Sequence, residues 1–200
     1  MDYIHDTPVA SVIFIFTVIT SIYAFNDHGI YGKFMLHPYT VSKGRKLYTY
    51  ITSGLIHADW MHLIFNMFTF VFFAFPLERI IGHWQFGLMY MLSLILSDIP
   101  TVIKHKDHFW YNSLGASGAI SAVLFSYILF DPWGKILVMG IPMPSIVFAV
   151  LYLLYSWYMA KNAKDNIGHD AHFYGALTGV IFTLVVVPDA LSNFLRLLTS

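Results

Sequence analysis

Ser117 lies in the run Gly115-Ala116-Ser117-Gly118, His172 follows Ala171 with Gly175 and Gly179 behind it, and His62 stands four residues before Asn66. A hydroxyl, an imidazole and a pair of side-chain hydrogen-bond donors are the parts of an acyl-transfer site. In such a site Ser117 is the nucleophile, and His172 takes its proton as general base and later returns it as general acid. The Ser117 backbone N–H, with the His62 and Asn66 side chains, then holds the oxyanion. At their spacing His62 and Asn66 share one helix face and aim at one point. Asp170 is only two residues before His172, on a different side of a helix, so the pattern is a Ser-His dyad rather than a full triad. The chain has no cysteine, which excludes a thiol nucleophile, a disulfide and a thiolate zinc site.

The elements that position these residues must stand in lipid. Of 200 residues, 58% are hydrophobic and 11% charged, where an ordinary soluble domain has about 25% charged; the mean hydropathy is +0.65. Lys and Arg (11) balance Asp and Glu (11). No basic stripe exists to release counterions, so nucleic-acid binding is excluded. Six apolar runs, 9–25, 61–77, 86–103, 114–130, 144–160 and 171–187, predict membrane helices. About 17 residues at a 1.5 Å rise cover roughly 26 Å, near the short limit for crossing a hydrocarbon core of about 30 Å. Continuous apolar runs, not period-2 alternation, select helices over a barrel. The expectation is one all-α integral membrane domain over residues 1–200, a six-transmembrane-helix bundle. The first run lacks a basic leader and an A-x-A site, so an anchor is expected rather than a cleaved signal. Residues 26–56 hold Lys33, Lys43, Arg45 and Lys46 among Tyr31, Phe34, Tyr39, Tyr48 and Tyr50. That mixture favours the headgroup zone and predicts a long interfacial first loop. Gly140, Pro142 and Pro144 leave the start of the fifth run poorly defined.

Polar side chains inside a bilayer are expensive and point to function. They recur at the starts of runs two, four and six: His57, His62 and Asn66; Gly115 to Gly118; His169, Asp170 and His172. Consecutive spans reverse direction, so these three starts share a leaflet and their residues can meet. Ala171, Gly175 and Gly179 form a small-xxx-small stripe that admits a close helix neighbour, and Gly115, Gly118 and Ala122 answer it on the fourth run. Close approach there predicts that Ser117 comes within reach of His172. Ser117 also opens its helix, where free N–H groups and the positive dipole end favour developing negative charge.

These motifs resemble the signature of rhomboid intramembrane serine proteases. The resemblance rests on Gly115-Ala116-Ser117-Gly118, on the His57, His62 and Asn66 series and on Ala171-His172-x2-Gly175-x3-Gly179, in that family's order and on the matching helices. It implies a rhomboid-like bundle, a Ser117–His172 dyad, and an oxyanion and substrate-binding set of His62, Asn66 and Gly115. It also implies cleavage of single-span transmembrane substrates near helix-unstable ends, with lateral entry between the second and fifth helices. No cofactor is implied. Glu78 and Gly82 are similar to a structural Glu-x3-Gly after the second helix. The expected location is a bacterial inner or cell membrane, multi-pass.

The chain departs from the family pattern in places. An aromatic four residues after the nucleophile stacks on the catalytic histidine in many members; here the position is Ser121, so Ser121 or Tyr174 is expected to orient His172 by a hydrogen bond. A first-loop Trp-Arg pair appears as Tyr48-Thr49, and the Arg expected two after Glu78 is Ile80. These changes are expected to alter anchoring of the loop. The Lys/Arg count puts Lys33, Lys43, Arg45, Lys46, Lys104, Lys106, Lys161 and Lys164 on one side and Arg79, Lys135 and Arg196 on the other. By charge bias the first group faces the cytoplasm, whereas the family topology places it outside.

Competing readings exist for each feature. A serine in a Gly-rich helix can serve close packing, and Asn66 and Thr69 can glue helices. His57 and His169 read as structural or loop-ordering. The convergence of His57, His62, His169 and His172 admits a zinc site, disfavoured because only Asp59 and Asp170 are near to supply a second shell. Asp98 and Pro100 mark a helix end or kink, or line water access. A channel would need polar residues through the opposite leaflet, and 70–75, 122–130 and 180–187 are mostly apolar. The alternative to a protease is a catalytically inactive rhomboid-like protein that binds membrane clients.

Overall fold

The computed structural model describes residues 3–138, 140–162 and 168–199; of the charges counted above, Lys164 lies outside them. In chain order the helices are α1 (Tyr3–Asp6), α2 (Pro8–Asn26), α3 (His28–Phe34), α4 (Pro38–Val41), α5 (Thr49–Thr52), α6 (Trp60–Ile81), α7 (His83–His105), α8 (Ser117–Ile128), α9 (Ser145–Asn162), α10 (His169–Val186) and α11 (Ala190–Thr199). A 3-10 turn, Ser53–Leu55, follows α5, and a hairpin of β1 (Lys135–Val138) and β2 (Ile141–Pro144) precedes α9. Each of the six apolar runs is therefore helical along most of its length. By length and composition α2, α6 and α7 can cross a membrane, and α10 with α11 makes a fourth if their 109° bend is taken within one span. The shorter α8 is also apolar, and all but two of its residues are buried.

The long connection between α2 and α6 is ordered into α3, α4, α5 and the 3-10 turn rather than an open loop. Asp27 caps α3 by accepting from Gly29 and Ile30 N–H at 2.8 and 3.0 Å, which satisfies two otherwise orphaned donors. Tyr48, at the position where the family pair departs, donates its hydroxyl to the Lys33 carbonyl at 3.3 Å. The untidy start of the fifth run is the β1–β2 hairpin, turned by Gly140 at φ +86°. Asp98 and Pro100 do not end a helix, since α7 continues through them to His105.

Interior positions of α2, α6, α7, α8 and α10 form one apolar core around Phe70, Phe86, Met89, Tyr90 and Val123. Outward faces keep large apolar groups exposed, among them Phe16 at 61%, Phe65 at 63% and Val185 at 79%. Such a surface is costly in water and suits acyl chains. In the half of the bundle away from the motifs, Ser126 and Thr183 hydroxyls bond each other between α8 and α10.

Glu78 closes the opposite end. Its fully buried carboxylate accepts from Val9 N–H at 3.1 Å, from Ala10 N–H at 2.6 Å and from His83 Nδ1–H at 2.7 Å. It thus caps the start of α2 from the end of α6, where a negative charge meets the helix dipole. Gly82, at φ +92°, makes the sharp turn into α7 that brings His83 to it. Glu78→Ala is expected to cost about 3 kcal/mol, the lower end for removing one partner of a buried charged network. Glu78→Gln should cost less. Reversible unfolding in mild detergent checks the order of the two losses.

Candidate active site

Close packing of α8 on α10 is set by glycine. A Cβ placed on Gly175 would sit 2.8 Å from the Gly118 carbonyl carbon and 3.0 Å from its Cα, and one on Gly179 would sit 2.6 Å from Ala122 Cα. A Cβ on Gly118 would in turn meet Ser97 Cβ of α7 at 2.8 Å and the Ala171 carbonyl oxygen of α10 at 3.3 Å. The two backbones touch because Gly175 and Gly179 carry no side chain there. Ser117 and His172 flank this contact, each next in sequence to a residue that makes it, Gly118 and Ala171.

Ser117 is the first residue of α8, and the preceding Ala116 supplies no side-chain cap. The first-turn N–H groups therefore have no intrahelical acceptor and face the space in front of the helix. The chain enters α8 through Gly115 at φ +115°, held by its N–H to the Ser53 carbonyl at 2.9 Å. A Cβ on Gly115 would meet His62 Cε1 at 2.7 Å and Nε2 at 2.8 Å. Gly115 is thus required twice, by its backbone conformation and by the imidazole against it. His62 and Gly115 thus meet just before α8 begins at Ser117.

Asn66 lies one turn below His62 and is buried at 8% exposure. Its Nδ2 donates to the His62 carbonyl at 2.8 Å, leaving the second amide hydrogen. Thr69 likewise bonds back to Phe65 at 2.9 Å. Both bonds stay within α6, so neither residue is gluing helices through them.

Ser117 and His172 are both half-buried. Among the described residues no hydrogen bond joins them. His172 is instead bounded by rings: Tyr152 of α9 at 6.2 Å and 30°, and His169 at 6.1 Å and 81°. Neither residue expected to orient it does so by a hydrogen bond. Ser121 Oγ bonds Tyr152 OH at 2.8 Å, and Tyr174 is exposed, with its ring against Phe173. Asp170 turns away from His172 and pairs with Lys104 Nζ at 2.8 Å. Lys104 also donates to the Ala160 carbonyl at 2.7 Å, clasping the ends of α7 and α9 to the start of α10.

His57 precedes α6 and is fully buried. The Ser21 hydroxyl donates its one proton to the Leu55 carbonyl at 3.0 Å, so it accepts from His57 Nδ1–H at 2.9 Å. That relay ties the segment before α6 to α2. Burial, helped by neighbouring His62 and opposed by Asp59, pushes the His57 pKa down to about 3, so the ring is neutral at physiological pH. Its edge-on contact with the His62 ring, 4.9 Å between centroids, supports His62 from behind. Among the described residues no three His, Cys, Asp or Glu are grouped to hold a metal ion.

Tyr152, Lys104 and Ser97 were not singled out as site residues in the sequence. Lys104 figured only in the charge balance, and Tyr152 sits in an aromatic-rich helix with no motif to mark it. For Ser97 and Tyr152 the signal would have been the small residue facing each, Gly118 against Ser97 and Ser121 against Tyr152, which needs the helix rotations to be known.

The chain is similar to known proteins. The family model for the Rhomboid domain matches residues 44–189. A Bacillus subtilis (strain 168) protein named "Putative rhomboid protease YdcA" is 31% identical over 137 residues, 68% of this chain and 66% of that protein. "RHOMBOID-like protein 12, mitochondrial" of Arabidopsis thaliana is 25% identical over 173 residues, 78% of this chain and 51% of that one. "Rhomboid protease GlpG" of Photorhabdus laumondii subsp. laumondii is 23% identical over 143 residues, 72% and 49% of the two chains. This chain spans between about half and two thirds of the length of these relatives. The matched region covers α5 to α10 and every motif residue above, in an apolar helical chain of multi-pass membrane character: the chain belongs to the rhomboid family.

Proposed function

We propose that the chain is an intramembrane serine endopeptidase, acting through Ser117 and His172 on single-span transmembrane proteins. The observation that carries this reading is the placement of Ser117 at an uncapped helix start, beside a glycine-made contact that brings α10 and His172 alongside. In the proposed reaction His172 takes the Ser117 proton as Oγ attacks the scissile carbonyl. The carbonyl oxygen becomes an oxyanion held by the Ser117 N–H, His62 and the free amide hydrogen of Asn66. His172 then protonates the leaving amine, and a water deprotonated by the same imidazole releases the acyl group from Ser117. The half-buried state of both residues leaves room for that water.

All six long helices, α2 and α6 to α10, span the bilayer in this proposal, with the ordered segment from α3 to the 3-10 turn lying at one interface. The substrate enters between α6 and α9, whose outer faces carry exposed apolar side chains such as Phe72 and Leu154. Following the family topology, the motif end faces away from the cytoplasm, in a bacterial cell membrane.

The test is incubation of the purified protein with a single-span substrate in detergent, with products mapped by mass spectrometry. A single cut near a Gly- or Pro-destabilised helix end is expected. An uncut substrate that remains bound would favour the client-binding alternative. In the same assay Asn66→Ala is expected to lower kcat about 10²-fold if its amide holds the oxyanion, with KM nearly unchanged.

A further inference from the structure

We infer that Tyr152 of α9 is the positioning residue for His172, and that Ser121 of α8 holds it in place. The inference rests on the proteolytic reading of His172. Among the described residues neither ring nitrogen of His172 has a hydrogen-bond partner, so no polar group fixes the plane of its ring. The aromatic ring most nearly parallel to it is that of Tyr152, with centroids 6.2 Å apart and planes inclined by 30°. His169 approaches only edge-on, at 81°.

Tyr152 is itself immobilised from three directions. Its hydroxyl bonds Ser121 Oγ at 2.8 Å, and its ring packs on Phe125 at 5.4 Å and on Phe148 at 5.5 Å. Ser121 is buried, at 4% exposure, and one turn below Ser117. The hydroxyl bond therefore registers the aromatic ring against the same helix that carries the nucleophile. A ring on α9, anchored to α8, thus lies beside the imidazole of α10. Tyr152 touches no reacting atom and works only by restricting His172.

This contact also favours a small residue at 121. The Tyr152 hydroxyl occupies the space beside Ser121, so a large side chain there would displace the ring that faces His172.

The experiment compares wild type with Tyr152→Leu, Tyr152→Phe and Ser121→Ala. It reads kcat and KM separately and follows the His172 imidazole resonances by NMR in detergent. Tyr152→Leu is expected to lower kcat by on the order of 10²-fold, the loss typical of a misplaced reacting group, with KM little changed. It should also abolish the ring-current shift of the His172 protons. Tyr152→Phe keeps the ring and should recover most of kcat. Ser121→Ala should match Tyr152→Phe, and the double variant should lose no more than either alone, as for two ends of one bond.

Unchanged kcat and unchanged His172 resonances in Tyr152→Leu would overturn the inference. If Tyr152→Leu does not fold, Ser121→Ala decides: it should keep most of kcat but shift the His172 resonances as the Tyr152 ring loses its anchor, and His172 resonances unchanged from wild type overturn the inference. A Ser117→Ala control that still cleaves would sink the proteolytic reading instead; the resonances then still decide whether Tyr152 orients the ring.

Discussion

Ser117→Ala is expected to lower cleavage of a transmembrane substrate by on the order of 10⁴- to 10⁶-fold, the loss seen when a serine nucleophile is removed from its base and oxyanion site. The fold should survive, because Ser117 Oγ makes no hydrogen bond among the described residues and alanine favours the first turn of a helix. His172→Ala should lose a comparable factor, and the double variant no more than either alone, since the two act as one unit. Loss of activity with an unchanged melting profile separates this outcome from misfolding. A variant that kept a tenth of wild-type turnover would mean that another group attacks the peptide.

The second large effect is on assembly. Gly175→Leu is expected to abolish the folded state, and Gly175→Ala to destabilise it by about 2 kcal/mol or more, within the range for overpacking. Alanine gains about 1 kcal/mol of helix propensity over glycine, yet its methyl would meet the Gly118 backbone at 2.8–3.0 Å. A flexible side chain can move aside, but a helix backbone cannot, so the helices must separate and the packing term wins. Gly179→Ala meets Ala122 in the same way and should add to the loss. Because Ser117 and His172 flank this contact, Gly175→Ala should also depress kcat beyond its effect on stability. Melting in detergent beside kcat, measured below the melting point, distinguishes the two contributions.

Much of this was legible in the residues because it depends on periodicity along one helix. The apolar runs mark the long helices, and the Gly175 and Gly179 stripe announces a close neighbour. The Gly-Ala-Ser-Gly run marks a turn into a helix, which Gly115 makes at φ +115°. What depends on two helices at once was not legible. The Ser121–Tyr152 bond requires the rotation of α9 about its own axis, which a helix apolar on nearly all sides does not encode. The hairpin before α9 was hidden because Pro142 and Pro144 lie on strand β2, where such residues are tolerated at an edge, and read alone they signal only a broken helix. The segment between α2 and α6 declared its interfacial composition but not its short helices, which take their shape from caps such as Asp27 and from docking on α7.

Labelling with a fluorophosphonate probe, located by mass spectrometry, tests most directly whether His172 activates Ser117. The account predicts a single modified residue, Ser117, in the wild-type protein, and loss of labelling in both Ser117→Ala and His172→Ala. Modification of a different serine, or undiminished labelling of Ser117 in His172→Ala, would contradict it.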